Sequence, residues 1–166
     1  ALIAKHRRVI APSHPGFGHS QLPDWMTTVE DLSYFYLDLL SALRLDDVVL
    51  VGIAFGGWIA AELAVKQPRQ LARLMLANPA GVKFGPRDQR DIADIFSLPQ
   101  QELDARSFHD VRNARHFDPN VSSEDEIYVE LRNRESTGRF AWSPYMYNPK
   151  LLHRLHLIGV PTLIAW

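Results

Sequence analysis

Two glycines flank a small residue at the spacing G-x-A-x-G, in which Gly52, Ala54 and Gly56 hold the fixed positions. This is the spacing of the nucleophile elbow G-x-S-x-G, a sharp strand-to-helix turn that lifts a reactive side chain above a sheet. Such a turn requires glycines because the neighbouring backbone comes too close for a Cβ. In the serine version, the hydroxyl attacks a carbonyl carbon while a histidine acts as the base. Position 54 carries a methyl group, which can neither attack nor be deprotonated.

The residues on either side of this motif predict the strand and the helix that such a turn joins. Residues 48–51 are apolar and mostly β-branched, which is typical of a buried parallel strand. A helical pattern follows to about Lys66 and ends before Pro68, because the residue that precedes a proline avoids helical geometry. The next strand is predicted over residues 71–77. This alternation indicates an α/β fold, a parallel sheet with right-handed crossover helices.

Two further elements are predicted ahead of the motif. A capping box formed by Thr27 and Glu30 begins an amphipathic helix that runs to about Leu43. A short buried strand is predicted over residues 8–11. The prolines and glycines of residues 12–20 then predict an irregular loop.

This loop supplies three candidate pocket residues, His14, Gly16 and Phe17. Open α/β sheets bind ligands beyond the carboxyl ends of their strands, and the loop leaves such an end. We therefore expect these three residues to lie near a ligand pocket.

From residue 82 onward the sequence pattern is helical. Helices are predicted over four segments, residues 86–96, 99–108, 123–136 and 149–156. A strand-like apolar run then resumes after Gly159 and ends the chain. We therefore expect residues 1–81 to form part of an α/β core, residues 82–157 a helical cap inserted into it, and residues 158–166 the resuming core strand.

Aromatic residues cluster ahead of the last predicted helix, with Trp142, Tyr145 and Tyr147 close together in the sequence. The simpler interpretation is that they pack the cap onto the core. The alternative is that they line a pocket for an apolar acyl or aromatic group. Under that alternative, Trp142 and Tyr145 are candidate pocket residues.

The composition excludes several classes of function. The 166 residues carry a formal net charge of −1, which gives no indication of binding to nucleic acid or to an anionic membrane. Disulfides and thiolate metal sites are excluded because there is no cysteine, and no apolar run approaches the roughly 20 residues of a membrane span. The histidine pairs His14/His19 and His153/His156 lack further ligands nearby, so we expect no metal and no cofactor. We expect a soluble, cytoplasmic protein with a small-molecule ligand and leave its oligomeric state open.

A dinucleotide-binding fold is the structural alternative, since Gly52, Gly56 and Gly57 could approach a pyrophosphate. That fold needs a different glycine spacing and an acidic residue at the end of the next strand, for the ribose hydroxyls. Here the next strand is followed by Asn78 and Pro79, so the elbow interpretation is favoured.

These motifs together resemble the central portion of an α/β-hydrolase-fold enzyme with a helical cap, of the esterase or C–C bond hydrolase kind. Five segments carry the resemblance, namely residues 8–12, 14–20, 52–57, 74–80 and 160–166. The chain begins without Met and ends inside an apolar run. The resemblance implies a piece of a longer protein, with a further strand and an oxyanion loop preceding residue 1. It places that strand between residues 8–11 and the strand at Val49, which leaves an empty slot in the sheet.

The resemblance also implies roles for residues at the turn. Ala54 occupies the nucleophile position, and the backbone N–H of Phe55 is an oxyanion donor. Haloalkane dehalogenases and epoxide hydrolases carry an aspartate nucleophile that is usually followed by tryptophan, so Phe55 favours the serine type. The acid and the base of the triad are expected outside the chain.

The resemblance implies hydrolysis of a small apolar ester, or of the C–C bond of a ring-cleavage product, through an acyl-enzyme. With Ala54 in place of the nucleophile, this chemistry is not available to the chain as written. The alternative is a non-catalytic member of the fold that binds a small ligand or a partner.

Overall fold

The computed structural model describes residues 3–86, 88–114 and 117–166. Within these residues, the regular structure consists of three strands, four α-helices and three short 3₁₀ helices. In chain order, the main elements are α1 (Val29–Ala42), β1 (Val48–Ile53), α2 (Phe55–Ala64), β2 (Leu71–Ala77), α3 (Gln100–Ser107), α4 (Glu124–Ala141) and β3 (Thr162–Ala165). The 3₁₀ helices cover Ile3–Lys5, Val111–Asn113 and Leu152–Leu157.

The three strands form one parallel sheet in the order β1-β2-β3. Leu50 of β1 pairs with Leu74 of β2, which in turn pairs with Thr162 of β3. Two parallel neighbours require crossover connections, and α2 provides the first of them. The second connection, between β2 and β3, contains α3 and α4. The predicted α/β class, with a parallel sheet and inserted helices, is confirmed.

The helix α1 begins one residue later than the predicted capping box. Thr28 is the N-cap, and its side chain accepts a hydrogen bond from the Asp31 backbone at 3.1 Å. The Asp31 carboxylate accepts in return from the backbone N–H groups of Thr27 and Thr28. Desolvation opposes ionisation of Asp31, but these hydrogen bonds outweigh it and hold its pKa below the usual value. The predicted partner Glu30 instead pairs with Arg154 at 3.0 Å.

The strand predicted over residues 8–11 is absent, and the prediction is wrong for this segment. Residues 8–14 have no regular structure, and Val9 and Ile10 are 53% and 41% exposed. A strand needs a neighbour that completes its hydrogen bonds. No described strand lies beside this segment to do so, in keeping with the empty slot that the resemblance implied.

The first helix predicted between β2 and β3 is also wrong, because residues 88–98 form turns and bends instead, and residue 87 lies outside the described residues. The Asp91 carboxylate accepts hydrogen bonds from the backbone of Phe84 and Gly85, and Asp94 accepts one from Phe96. Short acidic side chains that bond to nearby backbone in this way compete with helical hydrogen bonds.

The remaining helices of this connection follow the prediction in part. The segment 99–108 contains α3, and α4 begins where the segment 123–136 was predicted to begin, with a capping box of Ser123 and Glu126. Helix α4 continues to Ala141, five residues beyond the predicted end. The last predicted helix is a 3₁₀ helix, Leu152–Leu157.

The main hydrophobic core joins α1, α2 and α4. Leu32 from α1, Trp58 from α2 and Ala141 from α4 are at most 3% exposed and belong to one contact cluster. Helix α2 lies in the middle of this cluster, and every residue from Gly57 to its end at Ala64 is buried. Burial on all sides fixes the position of α2, and therefore of the turn that precedes it.

Candidate active site

The turn between β1 and α2 has the strained geometry of an elbow at Ala54. This residue has φ 49° and ψ −114°, in the left-handed half of conformational space that residues with a Cβ rarely adopt. Such strain costs of order 1–3 kcal/mol and persists only where the surroundings enforce it. The side chain of Ala54 is exposed.

The glycines around Ala54 allow close contact between the backbone of β1, the start of α2 and the segment that follows β2. A Cβ on Gly52 would lie 2.5 Å from the carbonyl oxygen of Gly56, well inside van der Waals contact. A Cβ on Gly57 would lie 2.8 Å from Cβ of Pro79. Glycine is therefore required at both positions, which explains the local sequence around the turn.

Hydrogen bonds to the backbone of Ala54 hold the turn against β2. Its N–H donates to the carbonyl of Ala77 at 3.0 Å. Its carbonyl accepts from the N–H groups of Gly57, Trp58 and Ala80 at 3.0, 3.3 and 3.1 Å. The conformation at residue 54 is thus fixed by backbone contacts alone.

Phe55 is the first residue of α2, so its N–H has no acceptor within the helix. The N-terminal end of a helix also carries partial positive charge. This N–H therefore lies beside residue 54 with the polarity that a developing oxyanion needs.

His14 lies against this first turn of α2. Its Nδ1 is 2.6 Å from the hydroxyl of Tyr36 in α1. Its ring contacts Phe17, Tyr36 and Phe55 edge-to-face, with centroid distances of 5.6, 5.7 and 6.1 Å. Burial lowers the pKa of His14 and raises the pKa of Tyr36 to about 12. Both side chains are therefore neutral at pH 7.

The loop that carries His14 is attached to α4. Gly16 has φ 86°, and its carbonyl accepts a hydrogen bond of 2.6 Å from the hydroxyl of buried Ser136. The N–H of Gly18 donates to the side chain of Asn133 at 2.8 Å. A Cβ on Gly16 would lie 2.9 Å from the Ser136 oxygen, so the close approach of α4 depends on this glycine.

Phe17 connects the loop that carries His14 to α2 and to α4. Its ring lies 5.7 Å from Phe55 and stacks on Phe140 of α4 at 6.3 Å. The structure thus brings the predicted residues His14 and Phe17 into contact with Phe55, which follows Ala54, whereas Gly16 contacts Ser136. Their role in a pocket stays a prediction.

Trp142 and Tyr145 have other neighbours. Trp142 is 58% exposed and its ring contacts Phe96 edge-to-face. The Tyr145 hydroxyl accepts from the N–H of Ile95 and donates to the carbonyl of Ala93. Tyr145 lines a cavity of about 320 Å³, whose lining contains none of His14, Gly16, Phe17 and Phe55. Its place in a substrate pocket stays a prediction, as does that of Trp142.

Sequence reasoning missed Tyr36 and Ser136 as contributors to the site. Tyr36 belongs to the apolar stripe predicted for the first helix, so its contact with His14, 22 residues away, left no local signal. Ser136 lies 120 residues from Gly16, and nothing in the spacing of polar residues along α4 connects the two.

Metal ligands and membrane spans were sought over the described parts of the chain. Within residues 3–86, 88–114 and 117–166, no three His, Asp or Glu side chains converge as a metal site would need. Among the same residues, no helix has the length and apolarity to cross a bilayer.

Known proteins match about half of the chain. The chain is 42% identical over 83 residues to 2-hydroxymuconate semialdehyde hydrolase of Pseudomonas sp. (strain CF600), a match that covers 49% of this chain and 29% of that protein. It is 40% identical over 90 residues to 2-hydroxy-6-oxo-2,4-heptadienoate hydrolase of a Pseudomonas putida strain, covering 54% of this chain and 33% of that protein. The matches span about a third of the length of these relatives.

Solved structures show the same fold. A meta-cleavage product hydrolase from Pseudomonas fluorescens IP01 superimposes with a TM-score of 0.53 at 22% identity, covering 96% of this chain and 61% of that one. An esterase from Exiguobacterium antarcticum gives a TM-score of 0.57 at 20% identity, covering 91% and 59%. The sequence model of the alpha/beta hydrolase fold family matches residues 1–151, nearly the whole chain. The chain therefore belongs to the α/β-hydrolase-fold family.

Proposed function

We propose that the chain is the elbow-bearing part of a hydrolase that acts on a small apolar ester or on the C–C bond of a ring-cleavage product. The observation that carries this proposal is the backbone of Ala54, which adopts the strained left-handed conformation between β1 and α2. The two relatives at 42% and 40% identity are both named as hydrolases of dienoate or semialdehyde compounds, which supports the substrate class.

In this proposal, position 54 is the nucleophile position and Phe55 supplies an oxyanion donor. A serine at position 54 would attack the carbonyl carbon, and the N–H of Phe55 would stabilise the tetrahedral intermediate. His14, Gly16 and Phe17 line the substrate pocket, together with Trp142 and Tyr145 by prediction. With alanine at position 54, no acyl-enzyme forms. The pocket residues indicate a small-molecule substrate, and we propose a cytoplasmic location.

A second candidate function is favoured by the same residue. Ala54 leaves the turn, the Phe55 N–H and the aromatic residues in place, so a ligand could bind without being converted. In that case, the protein is a catalytically silent member of the fold that binds a small molecule or a partner.

The substitution Ala54→Ser in the full-length protein separates the two functions. We expect it to gain hydrolysis of p-nitrophenyl acetate, or cleavage of 2-hydroxymuconate semialdehyde, of order 10⁶-fold over the alanine form, the scale of losing a serine nucleophile in another enzyme. Ala54→Gly is the matched control, because it changes the same position and adds no hydroxyl.

Each result for Ala54→Ser supports one of the two candidate functions. Hydrolysis by the serine form alone supports a disabled enzyme. No gain in the serine form, with equal ligand affinity in all three forms, contradicts the hydrolase proposal and supports the binding protein.

A further inference from the structure

We propose that His14 is a ligand-contacting residue whose Nε2–H donates a hydrogen bond to a carbonyl or carboxylate oxygen bound above the first turn of α2. Tyr36 is its positioning residue, because it holds the other ring nitrogen. The inference rests on the proposed function in so far as that function places a small carbonyl compound at the elbow.

The direction of Nε2 is fixed by its neighbours. A Cβ built on Gly56 would lie 4.0 Å from Nε2 of His14, and no other atom of the described residues outside the turn comes within that distance. Nε2 therefore faces the first turn of α2, at van der Waals distance from the position that a Cβ on residue 56 would occupy. Within the described residues, Nε2 makes no hydrogen bond, whereas Nδ1 is bonded to Tyr36 at 2.6 Å.

The imidazole is also held in place by aromatic contacts. The rings of Phe17, Tyr36 and Phe55 surround it edge-to-face at 5.6 to 6.1 Å. Phe17 is held in turn by Phe140 of α4. A side chain fixed in this way loses little freedom when it binds a ligand, which is the condition for an efficient hydrogen-bond donor.

The hydroxyl of Tyr36 sets the tautomer. A neutral imidazole has one N–H donor and one acceptor nitrogen. Among the described residues, Nδ1 of His14 is the acceptor within reach of the half-buried Tyr36 hydroxyl. If Nδ1 carried the proton, it could not accept a hydrogen bond from the Tyr36 hydroxyl. The hydroxyl hydrogen would then lose its acceptor, which costs free energy. The hydroxyl therefore donates to Nδ1, and the proton of His14 lies on Nε2.

Two neutral donors then adjoin the same turn. The N–H of Phe55 opens beside Ala54, and Nε2–H of His14 faces Gly56, one residue further along α2. Neither donor carries a charge at pH 7, which matches the carbonyl oxygen of an ester or the oxygen of a dienoate better than a phosphate. Both donors are independent of the side chain at position 54.

The tautomer can be measured directly in the full-length protein with Ala54 unchanged. Long-range proton–nitrogen NMR of histidine side chains labelled with nitrogen-15 is expected to show His14 as the Nε2–H tautomer at pH 7. In Tyr36→Phe, we expect the two tautomers to mix. Observation of the Nδ1–H tautomer in the unchanged protein would overturn the inference.

The ligand contact is tested by titration with sodium benzoate as the probe. We expect the Nε2–H resonance of His14 to shift together with the backbone amide of Phe55, while the exposed His19 in the same loop does not respond. Benzoate that leaves the His14 resonance unmoved, whether or not it moves that of Phe55, contradicts the contact. These readouts do not depend on hydrolysis, so they stand even if Ala54→Ser is inactive.

A kinetic readout separates ligand contact from packing. In an active Ala54→Ser background, His14→Phe keeps an aromatic ring without a donor and is expected to lower kcat/KM for p-nitrophenyl acetate about 10- to 100-fold. His14→Gln restores an N–H near the same position and is expected to recover most of that loss, and His19→Gln is the control that leaves it unchanged. A glutamine variant as impaired as the phenylalanine variant would show a structural role and overturn the inference.

Discussion

The side-chain amide of Asn148 donates a hydrogen bond of 2.6 Å to the carboxylate of Glu62, which is completely buried in α2. The indole N–H of Trp58 donates to the same carboxylate oxygen at 3.2 Å. Next to Asn148, Tyr147 forms a parallel bridge with Gly81. Two distant parts of the long connection between β2 and β3 therefore meet, and Glu62 attaches the second of them to the helix that carries the elbow.

Removal of the Asn148 amide should destabilise the protein, because the buried Glu62 carboxylate then keeps only the hydrogen bond from Trp58. We expect Asn148→Ala to lower the free energy of unfolding by about 1–3 kcal/mol. Asn120→Ala, on an exposed loop, is the control and should change it by less than about 0.5 kcal/mol. Urea denaturation of the full-length variants measures both values, and equal effects would show that the contact is unimportant.

Gly52 should tolerate no side chain. In Gly52→Ala, the new Cβ would meet backbone atoms of Gly56 and Gly57 at 2.5 and 2.7 Å, and neither can move without shifting the elbow. We expect a loss of about 3 kcal/mol in the free energy of unfolding. Gly159→Ala is the matched control, because nothing lies within 4 Å of its Cβ position. Thermal unfolding that ranks the two substitutions equally would argue against the close-packed turn.

Two neighbouring threonines at the start of α1 contribute differently to stability. The side chain of Thr28 accepts a hydrogen bond from Asp31, so Thr28→Ala should cost about 1 kcal/mol of stability. The capping box expected from the sequence used Thr27, whose hydroxyl does not cap the helix in the structure. Thr27→Ala should therefore change stability by less than about 0.5 kcal/mol. Chemical denaturation of both variants checks the order, and a larger effect at Thr27 would restore the original capping box.

We expect His14 to make the protein less stable as the pH falls below about 6.5. Because burial lowers its pKa below the ordinary 6.5, the unfolded chain binds a proton more readily than the folded protein. This contribution to stability is complete above pH 6.5 and is lost as the pH falls towards the folded-state pKa. His14→Phe should show a smaller loss between pH 7.5 and 5.5 than the unchanged protein, measured by urea denaturation. Parallel pH profiles would contradict this assignment.

The local sequence was sufficient where short-range chemistry determines structure. Prolines at positions 68 and 79 bracket β2, and its predicted range 71–77 is the observed one. The glycine pattern around Ala54 predicted the strand, the turn and the helix because close backbone approach excludes side chains there.

The sequence was insufficient where partners are distant or where side chains compete with the backbone. The contact of His14 with Tyr36 and that of Gly16 with Ser136 form only after the sheet, α1 and α4 have packed. The incorrect helix near residue 91 has a different cause, since the carboxylates of Asp91 and Asp94 take up backbone N–H groups that a helix would use. Residues 8–11 have strand-like composition, but no described neighbouring strand pairs with them.

The bend at residue 54 is maintained by its neighbours, through Gly52, Gly57 and the hydrogen bonds that the residue 54 backbone makes to β2, to Ala80 and to α2. No atom beyond Cβ is required to hold this shape. The side chain at this point can therefore be exchanged without rebuilding the fold. Under the proposed function, a single substitution at position 54 would therefore be enough to convert the scaffold between a reactive and an inert form.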